Sequence, residues 1–348
     1  MSDTIRVGII GAGGNTRARH IPGLQKIPGV KIVAVCNRSR ESGQRVADEF
    51  GIPRVVDHWN EIVLDESIDA IAIGTWPYMH QLLTCAALEC GKHVLCEARM
   101  AMNAEEAHAM YAESRLYPEL VAQVVPSPLT LRYDRTMCEM ISDGYLGELY
   151  AINLRSIASP FMDRDSPLTW RQSFDPSGYN ALTMGIWYEA ILRWVGEAKT
   201  VMAMTHTCVK RRQDPRTGEP VGVRVPEHVD ILAEMVCGAQ ANLQFSAVTG
   251  LATNANEVWL FGGEGTLKLD MESGKLFGGC RRDKQLREIE IPPGKAGEWR
   301  VEEEFINAIR DAGEVKLTTF ADGVKYVEFT EAVALSAASG EAIHLPLM

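Results

Sequence analysis

The stretch Ile5-Arg6-Val7-Gly8-Ile9-Ile10-Gly11-Ala12-Gly13-Gly14 decides the fold of this chain. An apolar strand runs into a Gly-x-Gly turn, and a helix is predicted to begin near Arg17. The first glycine of such a turn allows a tight bend, and the second lets the backbone approach a pyrophosphate. The N-terminus of the following helix offers unpaired N–H groups and a positive dipole end to the anion. The pattern therefore predicts a dinucleotide-binding βα unit.

The third small residue of this motif has two candidates. Either Thr16 occupies the position, or the turn is longer and Ala18 occupies it. An ordinary Gly-rich βα turn is the alternative interpretation, but the succession of strand, turn, helix and second strand favours a nucleotide site. The residues of this turn that we expect to contact the cofactor are Gly11, Gly13, Gly14, Asn15 and Thr16.

Composition narrows the class of protein. The 348 residues include 35 basic and 46 acidic side chains, a formal net charge of −11, and the densest basic cluster is only Lys210-Arg211-Arg212. An acidic chain without a basic stripe argues against nucleic acid and against anionic membrane surfaces as partners. No apolar run approaches the ~18 residues of a membrane span. The eight cysteines show neither Cys-x-x-Cys nor zinc spacing, and no secretory signal precedes the first strand, so we expect a cytoplasmic protein with reduced thiols.

The chain has two regions that differ in their predicted pattern of strands and helices. Residues 1–124 alternate apolar strands with helices, which predicts a parallel, doubly wound Rossmann sheet covered on both faces. The pattern changes at Val125-Pro126-Ser127-Pro128. Residues 125–348 then carry clustered strand-like runs after a helix, which predicts an α+β domain with a large, mostly antiparallel open sheet. We assign substrate binding and oligomerisation to this second domain, and we interpret segment 210–227 as an exposed loop.

The end of the second strand informs the choice of cofactor. An NAD site typically places an Asp or Glu there to bind the ribose 2′-OH. This chain instead has Asn37, Arg38 and Ser39, and an Arg beside a Ser suits a 2′-phosphate. We therefore favour NADP(H) over NAD(H), with the alternative that Arg38 and Arg40 are solvated loop charges.

Several motifs follow one another in an informative order. The most specific is Gly91-Lys92-His93-Val94-Leu95-Cys96-Glu97. The others are Gly11-Ala12-Gly13-Gly14, Thr75 with His80 five residues on, Asp143-Gly144-Tyr145-Leu146-Gly147-Glu148-Leu149, Trp170-Arg171, Gly185-Ile186 and Leu192-Arg193-Trp194. Over nearly the whole chain this order resembles the glucose–fructose oxidoreductase, inositol dehydrogenase and rhizopine-catabolism (Gfo/Idh/MocA) family. The resemblance implies a Rossmann domain, a nicotinamide cofactor and a second domain whose sheet makes homodimer or homotetramer contacts.

The chain departs from that family at the expected catalytic positions. Where the resemblance implies a Lys after Glu97, the chain has Ala98-Arg99. Where it implies an Asp, a His and often a second Asp around Gly185-Ile186, the chain has, in order, Thr183, Trp187 and Ala190. Alcohol oxidation by hydride transfer needs a group that takes the hydroxyl proton. Ala98, Thr183 and Trp187 cannot do so near neutral pH.

Replacement residues are sought near those positions. We expect Tyr188, Glu189 or His80 to handle protons, with the alternatives that Tyr188 packs in a helix, Glu189 pairs with Arg193 four residues on, and His80 only lines the cofactor site. The further residues that we expect at the cofactor are Thr75, Trp76, His80, Glu97 and Arg99.

Three functional hypotheses remain open. The first is an NAD(P)-dependent oxidoreductase that acts on a small polyhydroxylated or cyclic substrate through a non-standard active site. The second is a redox-neutral lyase or hydrolase that keeps its nucleotide bound. The third is a catalytically silent nucleotide-binding protein.

Overall fold

The structure is a computed structural model that describes residues 4–158, 160–253, 255–311 and 313–347. It divides into two compact units. The first unit contains Met1–Pro126 and Arg300–Val324, and the second contains Ser127–Trp299 and Lys325–Met348. No helix in the described part of the chain is both long and apolar enough to cross a membrane.

The first 126 residues alternate strands and helices, as the sequence predicts. The strands are β1 (Ile5–Ile10), β2 (Val30–Cys36), β3 (Val55–Val56), β4 (Ala70–Ile73), β5 (His93–Cys96) and β6 (Ala122–Val124). The helices are α1 (Ile21–Lys26), α2 (Arg40–Phe50), α3 (Asn60–Val63), α4 (His80–Glu89) and α5 (Ala104–Leu116). A π-helical turn at Thr16–His20 precedes α1, and a 3₁₀ turn at Pro77–Met79 precedes α4.

The sheet of the first unit is parallel throughout its described pairs, in the order β3-β2-β1-β4-β5-β6. Its central strands are almost completely buried, as expected for a sheet covered by helices on both faces. This strand order defines a doubly wound nucleotide-binding sheet, whose order reverses between β1 and β4. The predicted Rossmann domain is confirmed.

The remaining elements are mostly strands. They are α6 (Leu131–Ser142), β7 (Leu149–Ile157), α7 (Phe174–Ser177), α8 (Met184–Val195), β8 (Ala198–His206), β9 (Arg211–Gln213), β10 (Pro220–Gly222), β11 (His228–Met235), β12 (Gln240–Ser246), β13 (Asn256–Gly262), β14 (Gly265–Asp270), β15 (Lys275–Cys280), β16 (Arg287–Ile289), α9 (Val301–Asp311), α10 (Phe320–Ser339) and β17 (Ile343–His344). A 3₁₀ turn lies at Trp170–Gln172.

The large sheet of the second unit has the order β16-β15-β14-β13-β7-β12-β11-β8-β17. Its described pairs are antiparallel, apart from the parallel pair of β7 with β12. Burial alternates along β8, β11 and β12, so one face of the sheet is packed and the other is more exposed. The predicted mostly antiparallel sheet is confirmed.

Two parts of the chain differ from the sequence-based expectation. Residues 300–324 group with the first unit, because α9 buries Val301, Phe305 and Ile306, and because Thr319 forms a bridge with Gln123 beside β6. Segment 210–227 is not simply an exposed loop. Strands β9 and β10 pair within it, and Arg212 is buried with its guanidinium 3.1 Å from Glu227.

Candidate functional site

The glycine turn after β1 has the geometry that its sequence predicts. Gly11 has a φ of 87°, in the left-handed region. A Cβ at this position would lie 2.6 Å from the backbone nitrogen of Thr75, so only glycine fits. The N–H of Ala12 donates to Asn37 Oδ1 at 2.7 Å, which ties the turn to the end of β2.

Thr16 takes the packed position of the motif, and Ala18 is exposed. The Thr16 hydroxyl donates to the carbonyl of Gly11 at 3.2 Å. A Cβ on Gly74 would lie 2.0 Å from that hydroxyl, so the turn after β4 packs directly against Thr16. The helix that the sequence predicts to begin near Arg17 starts instead as the π-helical turn, in which both Thr16 and His20 are buried.

A cavity of about 200 Å³ opens at the carboxyl ends of β1, β2 and β4. In an open α/β sheet, ligands bind at this edge and near the point where the strand order reverses. Its lining residues are Gly11, Ala12, Gly13, Asn37, Arg38, Ser42, Gly74, Thr75, Trp76 and Tyr78. Six of the residues predicted to bind the cofactor thus meet in one place. The other four lining residues were not predicted, although each lies within four residues of a predicted one; they are Ala12, Ser42, Gly74 and Tyr78.

The remaining predicted cofactor residues do not line this cavity. Ser39 caps α2, and its hydroxyl accepts a hydrogen bond from the N–H of Ser42 at 3.3 Å. Gly14, Asn15 and Thr16 form the start of the helix that follows the glycine turn. The others are His80, Glu97 and Arg99, which lie around the carboxyl ends of β4 and β5.

The charge at the end of β2 is positive. The guanidinium of Arg38 lies 5.5 Å from the ring centroid of Trp76, and both side chains line the cavity. Arg40 is engaged elsewhere, since it pairs with Asp57 at 2.8 Å. No carboxylate is among the described lining residues of the cavity.

The cavity suits a dinucleotide on two grounds besides its position. The Thr75 hydroxyl is buried and has no hydrogen-bond partner among the described residues, so a polar ligand group can satisfy it. The glycine turn also leaves no side chain between the backbone and an approaching phosphate, because Gly13 is exposed and lines the same cavity.

Glu97 lies immediately after β5, and its carboxylate is held by several donors. Asn15 donates from Nδ2, the N–H of Ala98 donates at 3.1 Å, and His20 Nε2 lies 2.9 Å away. Burial opposes ionisation of Glu97, but these hydrogen bonds and the charge of His20 outweigh it and lower the pKa of Glu97. Glu97 is therefore an anion at neutral pH. The sequence motif indicated Glu97, but nothing in it indicated His20 as its partner.

His80 links two turns of the first unit and is fully buried. Its Nε2 lies 3.1 Å from the carbonyl of Thr75, and its Nδ1 lies 3.1 Å from the carbonyls of Arg99 and Met100. Burial lowers the pKa of His80. Arg99 is also buried, at 9% exposure. These contacts favour a role for His80 in positioning the Thr75 turn over the predicted role in proton transfer.

In the second unit, a chain of neutral polar groups begins at Thr183, just before α8. Its hydroxyl lies 2.9 Å from that of Ser156, which donates to Asn256 Oδ1 at 2.9 Å. Trp187 and Ala190 are buried in α8. At these three departures from the family pattern, the structure therefore offers a hydroxyl, an indole and a methyl group, and none of them titrates near neutral pH.

Tyr188 and Glu189 are held by packing contacts. The Tyr188 ring stacks on Phe329 with centroids 3.6 Å apart, its oxygen accepts from the N–H of Ala198 at 2.7 Å, and burial raises its pKa. Glu189 pairs with Arg193 and accepts from the N–H of Ser127 at 2.9 Å. Both side chains are buried, so these contacts favour structural roles over the predicted proton transfer.

Comparison with known proteins identifies the family. The model described as "Oxidoreductase family, NAD-binding Rossmann fold" matches residues 5–121, and the Gfo/Idh/MocA C-terminal domain model matches residues 135–268. The chain belongs to the Gfo/Idh/MocA family of oxidoreductases, as the sequence motifs indicated.

Individual relatives are distant. An uncharacterised oxidoreductase of Rhizobium meliloti is 29% identical over 150 residues, which span 43% of this chain and only 45% of that protein. Levoglucosan dehydrogenase of Pseudarthrobacter phenanthrenivorans is 25% identical and covers 92% of this chain and 90% of its own length. A solved structure of levoglucosan dehydrogenase in complex with NADH and L-sorbose superposes with a TM-score of 0.85, at 23% identity and 99% coverage of both chains. This superposition shows a shared fold.

Proposed function

We propose that this protein is an NADP(H)-preferring oxidoreductase that acts on a small polyhydroxylated or cyclic substrate through a non-standard active site. The observation that carries the cofactor preference is the cavity at the end of β2, which is lined by Arg38 and Ser42 and by no carboxylate among its described residues. A carboxylate there would bind the ribose hydroxyl of NAD, whereas a guanidinium and a hydroxyl suit a 2′-phosphate.

Each part of the cavity would have a distinct task. The glycine turn and the helix that follows it would bind the pyrophosphate. The buried hydroxyl of Thr75 would form a hydrogen bond with the ligand. Arg38 lies over Trp76 in the lining of the cavity, and its planar fork would bind the 2′-phosphate. When bound, the nicotinamide ring supplies the acceptor or donor of a hydride.

The substrate class is proposed from two observations. A relative that matches 92% of this chain is named levoglucosan dehydrogenase, and a solved neighbour is described as a complex with NADH and L-sorbose. The chain of Thr183, Ser156 and Asn256 offers hydroxyl and amide groups, which suit the hydroxyls of such a ligand.

The absence of a titratable group at Ala98, Thr183 and Trp187 favours slow or absent oxidation of ordinary sugars. The same observation also favours a second candidate function, that of a redox-neutral lyase or hydrolase that retains its nucleotide. Steady turnover of free NADPH would support the oxidoreductase, whereas nucleotide that co-purifies and does not exchange would support the second candidate.

A cytoplasmic location belongs to this proposal. All eight cysteines are free thiols, and half of them are exposed. Exposed, unpaired thiols are typical of a reducing compartment.

The experiment has two parts. Calorimetric titration of the purified chain with NADPH and with NADH tests cofactor binding, and absence of binding of either at millimolar concentration would end the proposal. A panel of inositols, aldoses and anhydrosugars is then followed by the absorbance of the reduced cofactor. Slow turnover with ordinary sugars is expected, and turnover typical of dehydrogenases, about 1–10³ s⁻¹, would show that the active site is not deficient in a base.

A further inference from the structure

An ionic cluster lies behind Glu97 inside the first unit. His20 Nε2 lies 2.9 Å from Glu97, and His20 Nδ1 lies 2.5 Å from Glu302 in the first turn of α9. The side chains of His20 and Glu302 are only 2% and 4% exposed, and that of Glu97 is 13% exposed. Because both ring nitrogens face carboxylate oxygens, both donate only when the ring is an imidazolium.

The charges of this cluster do not cancel. Burial disfavours the charged form of His20, but the hydrogen bonds and charges of Glu302 and Glu97 outweigh burial and raise the pKa of His20 to about 9. Two carboxylates and one imidazolium then carry a net charge of −1 at neutral pH. Other groups near Glu97 include the neutral amide of Asn15, the buried ring of His80, whose pKa is lowered by burial, and Arg99, which is buried and follows Glu97 by two residues.

The chain is shaped locally to hold this cluster. A Cβ at Gly23 would lie 2.8 Å from a carboxylate oxygen of Glu302, so the glycine in α1 leaves the space that Glu302 fills. The π-helical turn ends at His20 and presents its ring to the interior, and such turns occur frequently at functional sites. Glu302 lies in the first turn of α9, where the helix dipole stabilises a carboxylate.

The strand order places Glu97 relative to the dinucleotide. The cavity occupies the carboxyl ends of β2, β1 and β4, with the pyrophosphate-binding turn after β1. Dinucleotides bind across the point where the strand order reverses, so the nicotinamide half belongs on the side of β4 and β5. Glu97 follows β5 directly. The oxidised nicotinamide ring carries a positive charge, and the reduced ring is neutral.

We infer that Glu97 is a fixed anion on the nicotinamide side of the site that favours the oxidised cofactor, with His20 and Glu302 as the residues that position it. This inference rests on the proposed function, because it assumes that a nicotinamide dinucleotide occupies the site. His20 binds Glu97 through one nitrogen and is itself fixed through the other. Glu302 thus helps to position Glu97 through His20.

Calorimetry with NADP⁺ and NADPH tests the inference on four proteins: the wild type, Glu97→Gln, Glu302→Gln and the control Glu105→Gln. Glu105 is an exposed carboxylate on α5, so its variant changes the net charge equally. Glu97→Gln is expected to shift the ratio of the two dissociation constants roughly tenfold toward the reduced form, about 1.4 kcal/mol. Glu302→Gln is expected to shift it a few-fold in the same direction, and Glu105→Gln not at all.

A second readout does not depend on the cofactor. Nitrogen-15 NMR of the His20 ring is expected to show an imidazolium at pH 7.5 in the wild type, and a lower titration midpoint in Glu302→Gln. A neutral His20 ring in the wild type would overturn the inference, even if Glu97→Gln fails to fold. Normal binding with an unchanged ratio in folded Glu97→Gln would overturn the inference alone, whereas a wild type that binds neither form would overturn the proposed function with it.

Discussion

The stability of this protein should depend on pH through His20. The His20 pKa is raised to about 9 in the folded chain, against 6.5 as its ordinary value. A group with a raised folded pKa contributes stability that is fully present below the unfolded pKa and is lost as the pH rises through the folded one. At about 1.4 kcal/mol for each pH unit between the two values, the loss between pH 6.5 and 9 is roughly 3 kcal/mol.

Urea denaturation at intervals from pH 6 to pH 9 measures this loss, with His20→Gln as the comparison. Burial raises the pKa of the Cys36 and Cys85 thiols to about 11 in the folded chain, so these thiols begin to ionise toward the upper end of this window only in the unfolded chain. Because both proteins contain these thiols, the difference between the two curves isolates His20. The variant also leaves two buried carboxylates without their cation, so it should be about 3–5 kcal/mol less stable near pH 6.

The expected result is therefore a gap that is largest near pH 6 and narrows toward pH 9. The matched control is His58→Gln, which changes an exposed histidine of the first unit and should run parallel to the wild type. Parallel curves for the wild type and His20→Gln throughout the range would refute the reasoning, because they would mean that His20 is not held as a cation.

Three other perturbations have defined outcomes. We expect a homodimer or homotetramer formed through the exposed sheet face of the second unit, where Leu232 (60% exposed) lies across from Met202 (48% exposed), because such apolar surface is rarely left open to solvent. Leu232→Glu should therefore reduce the molecular mass measured by light scattering. A monomeric wild type would contradict this expectation. Tyr188→Phe should cost about 1–3 kcal/mol, because the N–H of Ala198 loses its acceptor, and should keep kcat within a few-fold; a loss of about 10²–10⁴-fold would instead support the proton transfer predicted from the sequence. His80→Gln should weaken NADPH binding several-fold by releasing the Thr75 turn, and unchanged binding measured by calorimetry would show that this turn needs no such support.

The fold could be predicted from the sequence because its signals are local. An apolar strand that runs into Gly11 and Gly13 indicates a βα unit by itself, and alternation of strands and helices indicates the parallel sheet. Short strands such as β15 and β16 lack that periodic signal, and they were not predicted. The pairing of β9 with β10 depends on the burial of Arg212 against Glu227, which composition alone does not reveal.

The site could be predicted only in part, for the same reason. The residues that line the cavity follow strands whose order the fold rules supply, so Arg38 and Thr75 could be placed in advance. The partners of His20 could not, because Glu97 lies 77 residues and Glu302 lies 282 residues beyond it. The prediction of a regular helix from near Arg17 also missed the π-helical turn that buries His20. A contact between segments that are distant in sequence produces no periodic residue pattern in either segment, so it could not be predicted.

The central claim is that Arg38 selects NADP(H), and the ratio of the dissociation constants of NADH and NADPH tests it most directly. Charge-assisted hydrogen bonds contribute about 1.5–3 kcal/mol, so Arg38→Ala should erase a preference of roughly tenfold or more. Arg40→Ala is the matched control, because Arg40 is exposed and pairs with Asp57, and it should keep the wild-type ratio. Equal ratios in the wild type and Arg38→Ala would contradict the account and would make Arg38 a surface charge.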